Sequence, residues 1–353
     1  MRTSWRSALA LTIASRWMLA CVGAGTGGGE PDRAALSQRV RAVFGTLPFE
    51  ASSRANPVTE YKIELGRMLY YDKRLSKNHD IACNSCHLLD QFGVDGAPTS
   101  TGHRGQRGSR NAPTVYNAAF HVAQFWDGRA ANVEEQAKGP PLNPIEMAMS
   151  SEAAVEVVLQ SIPGYALRFQ DAFPRKSPPI TYDQMARAIG AFERRLVTPS
   201  RFDRFQRGEL GALSAQELAG LELFMSTGCL SCHNGPAIGG RMYQKLGLIH
   251  PYPTQDQGRY EVTRAEADRQ LFKVPSLRNV AKTGPYFHDG QVATLDQAVR
   301  LMAHHQLGRE LSESRVQAIV AFLGSLTGTV DTSYIARPHL PPSGPTTPAP
   351  DPS

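Results

Sequence analysis

The 353-residue chain has few cysteines, no long apolar run and no strong excess of charge of either sign. Each scarcity excludes something. Its apolar segments fall well short of the ~20 residues that span a bilayer, which argues against a transmembrane helix. The formal net charge of +6 is mild and unclustered, and three of its arginines (Arg2, Arg6 and Arg16) lie in the first stretch, so nothing points to nucleic acid. There are five cysteines in all, too few and too paired in sequence to be scattered packing residues. An apolar fraction of 41% with evenly spread charge reads as a globular protein, and the length suggests two domains at the usual ~100–200 residues each.

The opening stretch, "MRTSWRSALALTIASRWMLACVGAG", has basic residues followed by an apolar run, the layout of a secretory leader over residues 1–24. Arg16 interrupts the run. Cleavage after "VGA" gives simple export to the periplasm. The alternative is lipoprotein-type processing that anchors the chain through Cys21, which the residues before Cys21 fit less well.

The other four cysteines form "CNSCH" (Cys83, Cys86, His87) and "CLSCH" (Cys229, Cys232, His233). A C-x-x-C pair alone suits a thioredoxin-like redox site or half a zinc site. The histidine directly after the second cysteine changes the reading to c-type haem attachment: two thiols bond the porphyrin vinyls, and the imidazole becomes the proximal iron ligand. Two such motifs imply two covalently bound haem c groups.

These motifs anchor a longer repeat. "APTVYNAAFHVAQFWDGRAANVEEQ" aligns without gaps to "VPSLRNVAKTGPYFHDGQVATLDQA" at a constant offset of 162 residues, pairing Pro113 with Pro275, Asn117 with Asn279 and Trp126 with His288. "ELGRMLYYDKRLS" and "LAGLELFMSTG" predict an opening helix before each motif, and "YDQMARAIGAFERRLV" and "SESRVQAIVAFLGSL" a closing helix packed across it. The predicted fold is all-α: two tandem cytochrome c-like haem domains related by duplication, spanning residues 40–196 and 197–335. The tail 336–353, "PPSGPTTPAPDPS" at its end, is too rich in proline and polar residues to pack a core.

Differences between the copies locate chemistry. Met302 precedes the second closing helix, where a cytochrome c fold presents its thioether ligand, and methionine opposite histidine raises the haem potential. Met242 is a rival, and a plain core methionine is the alternative for both. At the same offset the first half has Pro140, which cannot bind iron. The first haem is left with another sixth ligand, for which His103, Met147 and Met149 are candidates, or with an open site. Glu146, in "NPIEMAM", is either a solvated loop carboxylate or an acid–base group at that site.

The stretches "LSKNHDIACNSCHLLDQFGVDG", "STGHRGQRGSRNAPTVYN", "QFWDGRA", "KGPPLNPIEMAM", "GCLSCHNG", "FKVPSLRNV" and "TGPYFHDG" closely resemble the bacterial di-haem cytochrome c peroxidases, over roughly residues 45 to 335. The resemblance implies a periplasmic enzyme that reduces hydrogen peroxide to water with electrons from a small cytochrome c or blue-copper protein, acting as a homodimer. It implies that His87 is the proximal and His103 the removable distal ligand of the amino-terminal, peroxidatic haem. It makes Glu146 the distal acid–base residue and Gln136 its polar neighbour. His233 and Met302 become the ligands of the higher-potential haem, and Trp126 an indole that couples the two haems. It also implies a calcium ion between the domains, held at Asn111, Thr283 and Pro285. Two other readings remain: a maturase-type di-haem oxidase acting on protein side chains, which has tyrosine where Met302 stands here, and a di-haem electron carrier without catalysis.

Overall fold

In a computed structural model the structure describes residues 32–178 and 180–353. The leader and Cys21 lie outside them. The helices, in chain order, are α1 (Arg33–Phe44), α2 (Glu60–Tyr71), α3 (Cys83–Cys86), α4 (Val133–Ala137), α5 (Gly139–Leu142), α6 (Glu152–Gln160), α7 (Pro163–Ala172), α8 (Tyr182–Glu193), α9 (Arg201–Gln206), α10 (Ala215–Thr227), α11 (Tyr260–Thr263), α12 (Leu295–Leu307) and α13 (Glu313–Ser325). The chain is mostly helical. One departure from an all-helical expectation is a short antiparallel hairpin, β1 (Tyr243–Lys245) with β2 (Leu271–Lys273). Among the described residues no helix is long and apolar enough to cross a membrane.

Local signals account for the helix ends. Thr59 caps α2 by accepting a bond from the Lys62 backbone, Thr181 does the same for α8 through Gln184, and Ser214 and Glu217 form a reciprocal capping box on α10. Two helix crossings then organise the cores. α2 crosses α8, and α10 crosses α13, each at a glycine. A methyl group on Gly66 would sit 1.9 Å from the Ala188 carbonyl oxygen, and one on Gly220 would sit 1.8 Å from that of Ala318. In both crossings the next obstacle is a phenylalanine Cβ, of Phe192 or Phe322, at 3.0 Å. Backbones this close leave no room for any other residue type.

Two separate apolar cores surround these crossings. Leu65, Leu69, Ile189 and Phe192 belong to the first, and Leu221, Phe224, Phe322 and Leu323 to the second. The ends of the described chain trade sides. Leu36, Val40 and Phe44 of α1 pack into the second core, whereas Tyr334, Ile335 and Leu340 pack on the first. The tail is therefore not clear of the core, as its composition suggested. Leu340 supplies apolar contact, and the Arg74 guanidinium donates to the Pro341 carbonyl at 2.9 Å, so proline-rich backbone is held by its free carbonyls.

Thr198 stands at the joint. It is fully buried, and its hydroxyl oxygen accepts one bond from Asn117 Nδ2 and one from Asn279 Nδ2, each 2.9 Å. Both asparagines adopt the left-handed conformation, at φ 61°. Thr198→Val keeps the shape but leaves two buried amide donors without an acceptor, at about 1–3 kcal/mol each. Chemical denaturation is expected to show a loss of about 2–6 kcal/mol, with Thr198→Ser close to the parent. A valine variant of parental stability would show that the two asparagines find other acceptors.

Candidate functional site

In the second half, α10 ends at Gly228, whose φ of 113° turns the chain straight into a one-turn helix at Cys229–Ser231. The His233 backbone N–H returns to the Cys229 carbonyl at 3.0 Å, so two thiols and one imidazole are gathered within a single turn. They line a cavity of about 240 Å³, and Met302 reaches the same cavity from α12. Met242, the rival ligand, is not among its lining residues. Burial pushes His233 down to about 4, so the imidazole is neutral at physiological pH, the form that binds metal. The carbonyls of Ile238 and Pro275 face its Nδ1, yet neither reaches hydrogen-bond geometry, and this nitrogen is left without a partner.

In the first half, Cys83 and Cys86 lie one turn apart on α3, with His87 at its end. His87 Nδ1 meets the Gly93 carbonyl at 3.3 Å, which leaves Nε2 as the free ring nitrogen, and burial lowers its pKa as well. Burial pushes the Cys83 thiol up to about 12 and those of Cys86 and Cys229 to about 11. A thioredoxin-like site needs the opposite shift, since its chemistry runs through a thiolate of low pKa. Among the described residues no three His, Cys, Asp or Glu side chains gather as a metal site.

His103 is 5% exposed, on a turn at His103–Gly105. Its backbone N–H donates to the Glu146 carbonyl at 2.8 Å, and a methyl group on Gly102 would fall 2.0 Å from the Ile145 carbonyl oxygen. The loops carrying His103 and Glu146 are thus in direct contact, joined at a glycine. His103 Nε2 lies 3.2 Å from the Ser353 carbonyl oxygen. Glu146 accepts a bond from Asn143 Nδ2 at 2.7 Å; burial raises its pKa, while Arg129 and that bond pull the other way. Its charge adds slightly to the rise of both the Cys83 and Cys86 thiols, behind the larger effect of burial. Met147 is 2% exposed in the first core and Met149 packs against it, the ordinary setting for a structural methionine. Gln136 lies partly exposed on α4, without a hydrogen bond to Glu146 among the described residues.

Between the halves the repeat becomes a pair of matching contacts. The Asn111 N–H donates to the His288 carbonyl at 2.7 Å, and the Lys273 N–H donates to the Trp126 carbonyl at 2.8 Å. Trp126 and His288 meet edge to face, ring centres 6.4 Å apart, and the Trp126 indole N–H donates to the Asn111 carbonyl at 2.9 Å. Asn111, Thr283 and Pro285 line the cavity that holds His233 and Met302. Three participants escaped the sequence reading. Arg110 clamps Asp127 and Asp256 at this junction, and the buried Lys273 and the half-buried His121 stand in the cavity wall. The signal for the last two was the offset itself, because Lys273 is the repeat mate of Asn111 and His121 that of Thr283.

Comparison with known proteins gives the family. The family model "Di-haem cytochrome c peroxidase" matches residues 60–211. The chain is 49% identical to the cytochrome c551 peroxidase of Nitrosomonas europaea over 308 residues, covering 86% of this chain and 91% of that one. It is 46% identical to the cytochrome c551 peroxidase of Pseudomonas aeruginosa, covering 90% and 92%. Among solved structures, a MauG-like protein associated with microbial copper homeostasis superposes with a TM-score of 0.73 at 28% identity, covering 83% of this chain and 97% of that one.

Proposed function

The chain belongs to the di-haem cytochrome c peroxidase family and is a cytochrome c peroxidase, and from that premise we propose a division of labour between its halves. The observation that carries the division is the contrast at the sixth ligand position. Met302 lines the cavity of the second attachment motif, whereas the first half has Pro140 there and holds His103 against the Glu146 loop.

The second half fits a haem c group, with a neutral imidazole, paired thiols within one turn and a largely apolar cavity, and the first half repeats the paired thiols and the buried imidazole. Cys83, Cys86 and His87 hold the first, and Cys229, Cys232, His233 and Met302 the second. When bound, the haems supply the one-electron steps and the iron at which peroxide is reduced. The thioether of Met302 would favour the ferrous state and suit the second haem to receive electrons. His103 would block peroxide from the first site in the oxidised protein and would withdraw on reduction, the glycines on either side of it giving its loop the freedom to move. The Glu146 carboxylate then takes a proton from one oxygen of hydrogen peroxide and returns it to the leaving oxygen, with Gln136 as its polar neighbour. One peroxide, two electrons and two protons give two waters. Trp126 lies between the halves as the coupling group.

The same reading extends to the assembly. Asn111, Thr283 and Pro285 would offer oxygen ligands to a calcium ion that stiffens the junction. The enzyme is exported to the periplasm, takes electrons from a small cytochrome c or blue-copper protein and works as a homodimer. The two halves arose by duplication, a reading supported by the matching glycine crossings and by the two asparagines at Thr198. Met302 in place of tyrosine favours this reading over the maturase type, and the buried Glu146 favours it over a bare electron carrier.

Peroxide turnover measured before and after partial reduction tests the proposal. The parent is expected to be nearly inactive when fully oxidised, and His103→Gly to turn over peroxide without prior reduction. If His103→Gly still needs the reductant, His103 is not the block.

A further inference from the structure

Lys273 is 6% exposed, and it is the single aspartate, glutamate, lysine or arginine among the described residues that line the cavity of His233 and Met302. Among the described residues its ammonium meets no carboxylate, and the one polar contact of its Nζ is His121 Nδ1, at 3.3 Å. A lysine ammonium has only protons to offer, so Nδ1 accepts, which puts the imidazole proton on Nε2. That Nε2 is buried, with no partner among the described residues. The wall of a largely apolar cavity therefore holds a charged donor whose one acceptor is a neutral imidazole nitrogen, beside a second donor that has none. A buried cation left in that state costs several kcal/mol, and a lone neutral imidazole relieves little of it. Burial alone holds Lys273 down to about 8, and burial with the neighbouring ammonium keeps His121 neutral.

The position in the repeat is equally specific. The Lys273 N–H donates to the Trp126 carbonyl as the Asn111 N–H donates to that of His288, so the junction has two equivalent corners. Asn111 and Thr283 line the cavity, and so do their repeat mates, Lys273 and His121. A tethered ammonium stands where the other copy of the repeat has the neutral amide of Asn111.

We propose that Lys273, supported by His121, is the anion-binding site for a propionate carboxylate of the haem attached at Cys229 and Cys232. This rests on the reading that those cysteines carry a haem. A haem c brings two carboxylates into this cavity, and Lys273 is the one formal charge there to receive one. A cation held beside the porphyrin opposes the loss of an electron from the ferrous state. Lys273 therefore helps, together with Met302, to keep this haem the better electron acceptor.

The test is spectroelectrochemical titration of the holoprotein, with haem content per chain measured by mass in the same samples. Lys273→Met is expected to shift the ferric–ferrous equilibrium of the His/Met haem toward ferric by about tenfold or more, ~59 mV for one electron, and Lys273→Arg to stay near the parent. Lys273→Met with both haems attached and an equilibrium within threefold of the parent overturns the proposal. If Lys273→Met fails to retain the second haem, Lys273→Gln and Lys273→Arg are compared: retention with arginine alone supports a charge requirement, and retention with both or neither overturns it. A parent protein without haem at Cys229 and Cys232 would instead sink the underlying reading.

Discussion

Glu146→Gln is expected to lower peroxide turnover by about 10²–10⁴-fold, the range that a positioned general acid–base group contributes. The substitution is close to isosteric. Glutamine still accepts the Asn143 amide bond through its carbonyl oxygen, and the backbone bond from His103 to position 146 does not involve the side chain. The loop contact at Gly102 is therefore unaffected, and the variant should fold and attach haem as the parent does. What it loses is the ability to take up and release a proton. The decisive comparison is steady-state turnover alongside peroxide binding followed by rapid mixing. Binding at the parental rate with collapsed turnover assigns the proton transfer to Glu146. Turnover within threefold of the parent would remove Glu146 from the mechanism. Gln136→Ala is a useful companion, since Gln136 makes no hydrogen bond to Glu146 in this structure and its effect would arise only with peroxide present.

Gly220→Ala should destabilise the protein by about 2 kcal/mol or more, although alanine is the better helix former by about 1 kcal/mol. The sign comes from packing. A methyl group 1.8 Å from the Ala318 oxygen and 2.6 Å from its carbonyl carbon meets main chain, which cannot rotate away as a side chain would. α10 and α13 would have to separate, loosening Phe224 and Phe322, whose rings pack 5.2 Å apart, and with them the ground beneath the second attachment turn. The control lies in the partner helix. Gly324 has nothing within 4 Å of the equivalent methyl position, so Gly324→Ala should gain up to about 1 kcal/mol from propensity alone. Thermal or denaturant unfolding of the two variants separates the effects, and a stabilised Gly220→Ala would mean that the helices yield without loss. Gly66→Ala in the first half should behave as Gly220→Ala does.

Much of the site could be read from the chain because its chemistry is local. A C-x-x-C-H run places two thiols and an imidazole within one turn however the rest folds, and the structure shows that turn at both Cys83–His87 and Cys229–His233. Amphipathic spacing likewise located the helices around Gly66, Gly220, Ile189 and Ile319 to within a few residues. The constant offset paired Trp126 with His288 and Asn117 with Asn279 without any coordinates.

The tertiary structure decided whatever depends on groups distant in sequence. Nothing in a linear reading says that Met302 shares a cavity with His233 while Met242 does not, or that Met147 turns into the core. The contact of the His103 loop with the Glu146 loop depends on a glycine fitting against a carbonyl more than forty residues away. The tail reads as unpacked by composition, but Leu340 and free backbone carbonyls attach it to the first core. Lys273 illustrates the division most clearly. Its type and its place in the repeat are written in the sequence, whereas its meaning as a cation without an anion arises only once folding removes water from around it. Desolvation and unpaired charge belong to the packed state, and no local pattern of residues encodes them.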